Sequence, residues 1–351
     1  MGIIIALLIF GLIVTVHEFG HFICAKLSGI DVLEFSIGMG PKLVQKKWGD
    51  TMYSLRALPL GGYCAMEGED SSTGSEHGFR EAKLWKRMIV LVAGAFMNFV
   101  LGFVLLIVMS SMFDVIPTTQ IKGFDGIINE DQSITYYSHS YKTGLRHEDI
   151  IRKIDGTSVY SILDLNYIFA TTKLDKHEVV VEREGEKITL ADIEFYDEAD
   201  GATMDFGVVT LDKNPVTVTK SAGKLFLSMG HIVELSLKQM LQGKVEKEQV
   251  SGPIGVVTAI NEATEESEDT VDTVFNLVYM AALITINVGI FNLLPVPGLD
   301  GGRLLFCFIE LIRRKPVKPE HEGYVHLAGM ALLFGLMIIV TFNDIMRLIH
   351  Q

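Results

Sequence analysis

The stretch GIIIALLIFGLIVTVHEFGHFICAKL (residues 2–27) decides how this chain is read. Its first thirteen residues, 2–14, carry no polar side chain. A helix needs about 20 mostly apolar residues to cross a bilayer, so residues 2–23 read as a membrane span. Yet His17, Glu18 and His21 sit toward its end. Ionisable groups in such a segment cost a few kcal/mol each and mark a function. His17 and His21 are four residues apart, which puts them on one helix face. Glu18 is offset by about 100° around the axis. This H-E-x-x-H spacing supplies two imidazoles to a zinc ion and a glutamate placed to take a proton from water at the metal. A metal also relieves the cost of burial, because it binds neutral imidazoles and offsets the carboxylate.

The rest of the chain fits a membrane protein. The 351 residues are 49% hydrophobic, with a mean hydropathy of +0.34. Three more runs are long and apolar enough to span, at residues 88–112, 274–294 and 325–349. The first run lacks the basic start and small-residue cleavage site of a signal peptide, and MGIIIA lacks the Ser or Thr that myristoylation needs. Between the second and third spans lie ~160 polar residues that carry most of the net charge of −13, enough for a small domain. That acidity argues against nucleic acid as a partner. Cys24, Cys64 and Cys307 are odd in number and lie outside the polar insert, which reads as free thiols on the reducing side.

Lys26, Arg80, Lys83, Lys86 and Arg87 flank the first connection, and Arg303, Arg313, Arg314, Lys315 and Lys318 lie between the last two spans. The other side offers only Lys122 and Arg347 near a span. The positive-inside bias therefore puts both short connections in the cytoplasm, with the termini and the insert outside. His17 and Asp300 then share the cytoplasmic side.

A catalytic zinc wants three protein ligands and an open position. Cys24 lies on the same face as the histidines, but three ligands from one helix make strained geometry. Asp300, in NVGIFNLLPVPGLDGGRLLF (residues 287–306), is the better candidate. Pro295, Pro297, Gly298, Gly301 and Gly302 break the helix there, and irregular backbone at membrane depth is tolerated only where protein or a wet cavity surrounds it. The alternative is that Asp300 caps the helix that follows.

HEFGH in the first span with NLLPVPGLDGG in the third resembles the site-2 protease family of intramembrane zinc metalloproteases, in particular the bacterial RseP-type enzymes of regulated intramembrane proteolysis. The resemblance covers essentially the whole chain. It implies that His17, His21 and Asp300 hold Zn2+, that Glu18 is the catalytic base, and that Asn292 and Asn287 contact substrate near the metal. LVAGAFMNFVLG (residues 91–102) resembles the family's small-residue second span, in which Gly94 implies close packing and Asn98 a polar contact, to substrate or between helices.

The fold implied is a polytopic α-helical membrane protein with four transmembrane helices, a membrane-associated β-hairpin and one extracytoplasmic PDZ domain. Residues 1–112 hold the first two spans, the H-E-x-x-H motif and the hairpin loop, in which RALPLGGYCAMEG puts Gly61, Gly62 and Tyr63 at a strand edge able to receive an extended substrate. Residues 77–91 read as an interfacial helix entering the second span. Residues 118–211, with runs that alternate around turns, resemble the PDZ domain. Residues 212–273 form a helix and linker, and residues 274–351 hold the last two spans. The family further implies a bacterial inner-membrane location and single-span substrates, such as anti-sigma factors or signal-peptide remnants, already cut outside by a site-1-type protease. A metal transporter using the same donors is the rival, but no inverted repeat is visible and Glu18 would have no task there.

Overall fold

A computed structural model describes residues 2–69, 74–129, 134–171, 176–197, 201–202, 204–243, 252–265 and 269–350. Asp70, Ser251, residues 266–268 and parts of the stretches 118–211 and 212–273 lie outside the described residues. The chain forms two compact units, Met1–Leu105 with Met240–Gln351, and Leu106–Gln239.

The first unit opens with helix α1 (Gly2–Ser28), the long hairpin β1 (Val32–Trp48) and β2 (Thr51–Met66), and helix α2 (Leu84–Met112), which continues into the second unit. Of the interfacial helix expected over residues 77–91, residues 77–83 form turns and only residues 84–91 are helical, as the first turns of α2. In the second unit follow β3 (Val115–Phe124), β4 (Gly126–Ile128), β5 (Ile134–Tyr136), α3 (His139–Thr143), β6 (Ile150–Ile154), β7 (Thr157–Ser158), α4 (Ile162–Thr171), β8 (His177–Arg183), β9 (Glu186–Ile193), β10 (Tyr196–Asp197), β11 (Gly201–Ala202), β12 (Phe206–Asp212) and α5 (Pro215–Leu241). The first unit resumes with α6 (Pro253–Glu265), α7 (Thr270–Leu293), α8 (Asp300–Arg313) and α9 (Pro319–His350).

Among the described residues four helices are long and apolar enough to cross a membrane: α1, α2, α7 and most of α9. Each matches a run expected from the sequence, except that α7 ends at Leu293, one residue before the expected end. The protein is therefore read as a multi-pass membrane protein. α1 buries Ala6, Ile13, His17, Gly20, His21 and Ala25, a stripe at helical spacing. Ile3, Ile4, Leu8 and Leu12 remain outside it, more than half exposed, as lipid-facing residues would be. Close packing comes from small residues. A Cβ on Gly20 would sit 2.3 Å from the Ala93 carbonyl oxygen of α2, and one on Gly102 would sit 2.5 Å from Ile286 of α7.

β1 and β2 pair only with each other, antiparallel, with repeated register shifts between Val32 and Val44. Residues 34–37 pair with 62–65 on one side and 52–55 on the other, and 52–55 also pair with 44–47. The outer edges of this hairpin are therefore residues 44–47 of β1 and 62–65 of β2, which pair with no further strand among the described residues. Ile37, Met39, Leu43, Val44, Trp48 and Leu58 are exposed along it, an apolar surface that would be a liability in water.

The break between α7 and α8 covers residues 294–299. Its amides are all paired: Leu294 N–H donates to Phe291 O, Val296 N–H to Leu294 O, Leu299 N–H to Val296 O, and Gly298 N–H to His326 Nδ1 of α9 at 2.9 Å. Backbone from three segments meets there. A Cβ on Gly301 would lie 2.1 Å from Leu294 O, and one on Gly329 would lie 2.2 Å from Pro297 O. Only glycine fits either place.

The second unit is a sheet of order β12-β3-β6-β8-β9, antiparallel throughout, with β7 paired to β6. Its core includes Ile121, Leu145, Ile151, Leu165, Val179 and Phe195. α6 is an element the sequence did not reveal. It packs on α1 and α9, with Ile260 fully buried beside Ala6 and Ile13. Pro253 starts it, where the missing amide costs nothing. Buried Asp344 of α9 accepts from Gly252 N–H at 3.0 Å and Gly255 N–H at 2.9 Å, which satisfies amides that have no helical partner.

Asp344→Ala would strip those amides of their acceptor. We expect it to destabilise the folded protein by about 1–3 kcal/mol, read as a lower midpoint in a detergent unfolding titration. A wild-type midpoint would mean that Asp344 does not hold α6.

Candidate metal centre

The site begins with the face of α1 that carries His17 and His21. Both rings are buried, their side chains 9% and 7% exposed. Each ring is fixed from behind by α2, through residues four apart on one face of that helix: Val90, Gly94 and Asn98. His21 Nδ1 donates to the Val90 carbonyl at 2.7 Å, which leaves Nε2 bare. His17 Nδ1 faces the Asn98 amide at 3.3 Å. As drawn, the amide presents nitrogen while its buried Oδ1 has no partner. Rotating the amide by 180° lets Oδ1 accept from Nδ1–H and pairs both groups. His17 Nε2 is then bare as well.

The two Nε2 atoms are 3.1 Å apart. Asp300, the first residue of α8, brings Oδ2 to 3.0 Å from His17 Nε2 and 3.2 Å from His21 Nε2. It is not the helix cap, a position Leu299 holds. Three acceptors on this spacing suit one small cation. Donors at zinc bond lengths in a tetrahedral shell are about 3.3 Å apart. His17, His21 and Asp300 form the one metal-competent cluster among the described residues. Cys24 is not in it, and packs instead with the apolar cluster around Ala25 and Leu91.

Gly94 makes room for this arrangement. A Cβ there would lie 2.4 Å from His21 Nε2 and 2.7 Å from His17 Nε2. It would fill the space where the three donors meet.

Glu18 sits beside the cluster, within electrostatic reach of His21, His17 and Asp300. Its Oε2 accepts from Cys64 N–H of β2 at 3.0 Å. Gly61 and Gly62 are buried just before that residue, and a Cβ on Gly62 would lie 2.5 Å from Ser36 O and 3.9 Å from Glu18 Cγ. Tyr63 points elsewhere, into a network in which its hydroxyl meets Arg56 and Arg56 pairs with Glu34 at 3.0 Å. Asn287 and Asn292 lie on α7, half-buried, with no hydrogen-bond partner among the described residues.

Two ion pairs tie α8 to the first part of the chain, Arg303 with Glu69 and Arg87 with Glu310 at 2.9 Å, and a third, Arg80 with Glu322 at 2.9 Å, ties α9 to it. The backbone donor of Cys64, the Val90 carbonyl and these pairs escaped the sequence reading. Main-chain atoms leave no signature, and ion pairs more than 200 residues apart show no spacing. The four-residue repeat of Val90, Gly94 and Asn98 was the signal that could have exposed the supporting face.

The chain matches the profile of peptidase family M50 over residues 5–336. It belongs to peptidase family M50. A protein of Clostridium acetobutylicum that carries a zinc-metalloprotease name is 32% identical over 347 residues, covering 98% of this chain and 97% of that one. The zinc metalloprotease RasP of Shouchella clausii is 31% identical, covering 97% of each chain. The regulator of sigma-W protease RasP of Bacillus subtilis is 27% identical, covering 99% and 98%. The chain is thus a zinc metalloprotease of the site-2, intramembrane class, and zinc is its cofactor.

Gly94→Ala is expected to abolish zinc binding, since its methyl group would displace the donors. Gly335→Ala, where an added Cβ meets nothing within 4 Å, is the control and should keep its metal. The measurement is zinc per protein by elemental analysis of monodisperse samples. Equal occupancy in both variants would contradict the geometry.

Proposed function

We propose that this protein cuts peptide bonds in or near the membrane segment of single-span proteins already shortened on the outer side by another protease. One observation carries the reading. A carboxylate, Glu18, stands next to a three-donor cluster on a membrane helix and is held by an amide of an adjacent strand.

In this reading His17, His21 and Asp300 hold zinc, with Val90 and Asn98 fixing the imidazole tautomers. When bound, zinc lowers the pKa of water to about 7 and polarises the scissile carbonyl. Glu18 is the general base. Oε2 is engaged by Cys64 N–H, so Oε1 is the oxygen free to take the proton. Glu18 can then return it to the leaving amine. A substrate helix has its amides paired, so it must unwind before a carbonyl is accessible. The open edges of β1 and β2 offer strand pairing to the unwound segment, with Gly61 and Gly62 where the hairpin meets Glu18. The unpartnered amides of Asn287 and Asn292 are available to the same backbone. Tyr63, bound to Arg56, shapes the hairpin beside these glycines.

The distribution of Lys and Arg supports a bacterial inner-membrane orientation with the zinc end toward the cytoplasm and the second unit outside. We read residues 118–211 as a PDZ domain because five antiparallel strands and the flanking helices α3 and α4 enclose a single core. Its task here is steric: to keep out substrates whose outer domains are still attached. The name of the Bacillus subtilis relative, a regulator of sigma-W protease, supports anti-sigma factors as one substrate class. Signal-peptide remnants are the other.

Glu18→Gln should keep zinc at wild-type occupancy and lose cleavage of a model single-span substrate by at least about 100-fold, the scale of general-base catalysis. Wild-type cleavage by this variant would exclude Glu18 as the base. Replacing residues 118–211 with a short linker should spare cleavage of a trimmed substrate and allow cleavage of the untrimmed one. Loss of both, in a folded variant with full zinc, would rule out the filter.

A further inference from the structure

Within the second unit is a cavity of about 170 Å³ that the proteolytic reading leaves unused. Its walls include Phe113, Ile116, Leu211 and Leu225, and Lys220 and Lys224 stand at it from α5. The two lysines are one helical turn apart. Like charges at that spacing repel, and neither has a carboxylate partner among the described residues. Asp164, the carboxylate beside the cavity wall, is buried and accepts from the amides of Tyr160 and Ser161 and from the Ser228 hydroxyl, and Glu182 pairs with Arg152. Lys220 and Lys224 are both exposed; partial desolvation, with Arg152 and Lys220 close by, pushes the Lys224 ammonium below its ordinary range. Two ammonium groups therefore stand at the cavity without an ion-pair partner among the described residues.

The position of the cavity names the anion. Phe113 directly follows the last residue of the span α2. Lys213 Nζ donates to Ser111 O at 3.2 Å, and Ser110 meets Ser221 of α5 at 3.5 Å, so α5 lies against the end of that span. The cavity thus opens at the membrane boundary. Val115, Leu211 and Val216 are 45%, 44% and 60% exposed around it. A mostly apolar hollow with two unpaired cations, at the depth of the headgroups, matches an amphiphile with a phosphate.

We propose that Lys220 and Lys224 bind the phosphate of an anionic phospholipid, with its glycerol and first acyl carbons in the apolar hollow. Two cations on one phosphodiester favour a headgroup with net negative charge over a zwitterionic one. The lipid fixes α5, and with it the second unit's attachment, to the membrane surface.

Native mass spectrometry of the full-length protein, released from mixed micelles of phosphatidylglycerol and phosphatidylcholine, tests this. We expect wild type to retain phosphatidylglycerol over phosphatidylcholine by at least fivefold. K220Q/K224Q should lose that preference while K220R/K224R and K238Q keep it, and zinc content should be equal in all four proteins. Equal retention of both lipids by wild type, or an unchanged preference in K220Q/K224Q, would overturn the proposal. So would displacement of the lipid by millimolar inorganic phosphate or by an acidic peptide, which would assign the site to a free anion or to a protein.

Discussion

Three acceptors meeting at about 3 Å inside an apolar helix bundle is the constraint on which the rest of this structure depends. Without a cation, two imidazole nitrogens and a carboxylate oxygen would face one another at the edge of a membrane, where unpaired polar groups are costly. With one, the same spacing becomes favourable. The donors come from helices nearly 300 residues apart in the sequence, so the fold must hold α8 against α1. The surrounding contacts fix α8 in place: backbone packing at Gly301 and Gly329 against residues 293–297, the short hydrogen-bonded break before Asp300, and the ion pairs Arg87–Glu310 and Arg303–Glu69, with Arg80–Glu322 holding α9 beside it. Such pairs help little on an open surface. Here most of their side chains are well covered, and removing one partner would leave a charge poorly solvated.

The hairpin links the site to the segment proposed to receive substrate. Cys64 N–H belongs to β2, the strand whose edge is available for pairing, and the same amide holds Glu18. Movement of the strand on substrate arrival would therefore be felt at the base. Gly62 allows the strand to approach this closely, since any side chain there would collide with Ser36 O.

Much of this was legible in the residues. The apolar runs gave the four spans because length and hydropathy alone decide what can cross a bilayer. His17, Glu18 and His21 were readable from spacing, and Asp300 from the Pro and Gly breaks around it. Other features were not. α6 is short and only moderately apolar, and its place depends on Asp344, about 90 residues away. The contact of Tyr63 with Arg56 was also not readable, because it is a cross-strand arrangement that depends on an irregular register. Asn98 stood between two readings, and it backs His17, a choice only the helix packing could make.

The central claim is that one zinc ion is held by two imidazoles from α1 and a carboxylate from α8. X-ray absorption at the zinc edge of the purified wild-type protein tests it most directly. The account predicts nitrogen and oxygen scatterers only, at about 2.0–2.2 Å, with the outer-shell signature of two imidazoles. A sulfur scatterer at about 2.3 Å would place Cys24 in the shell and contradict the account.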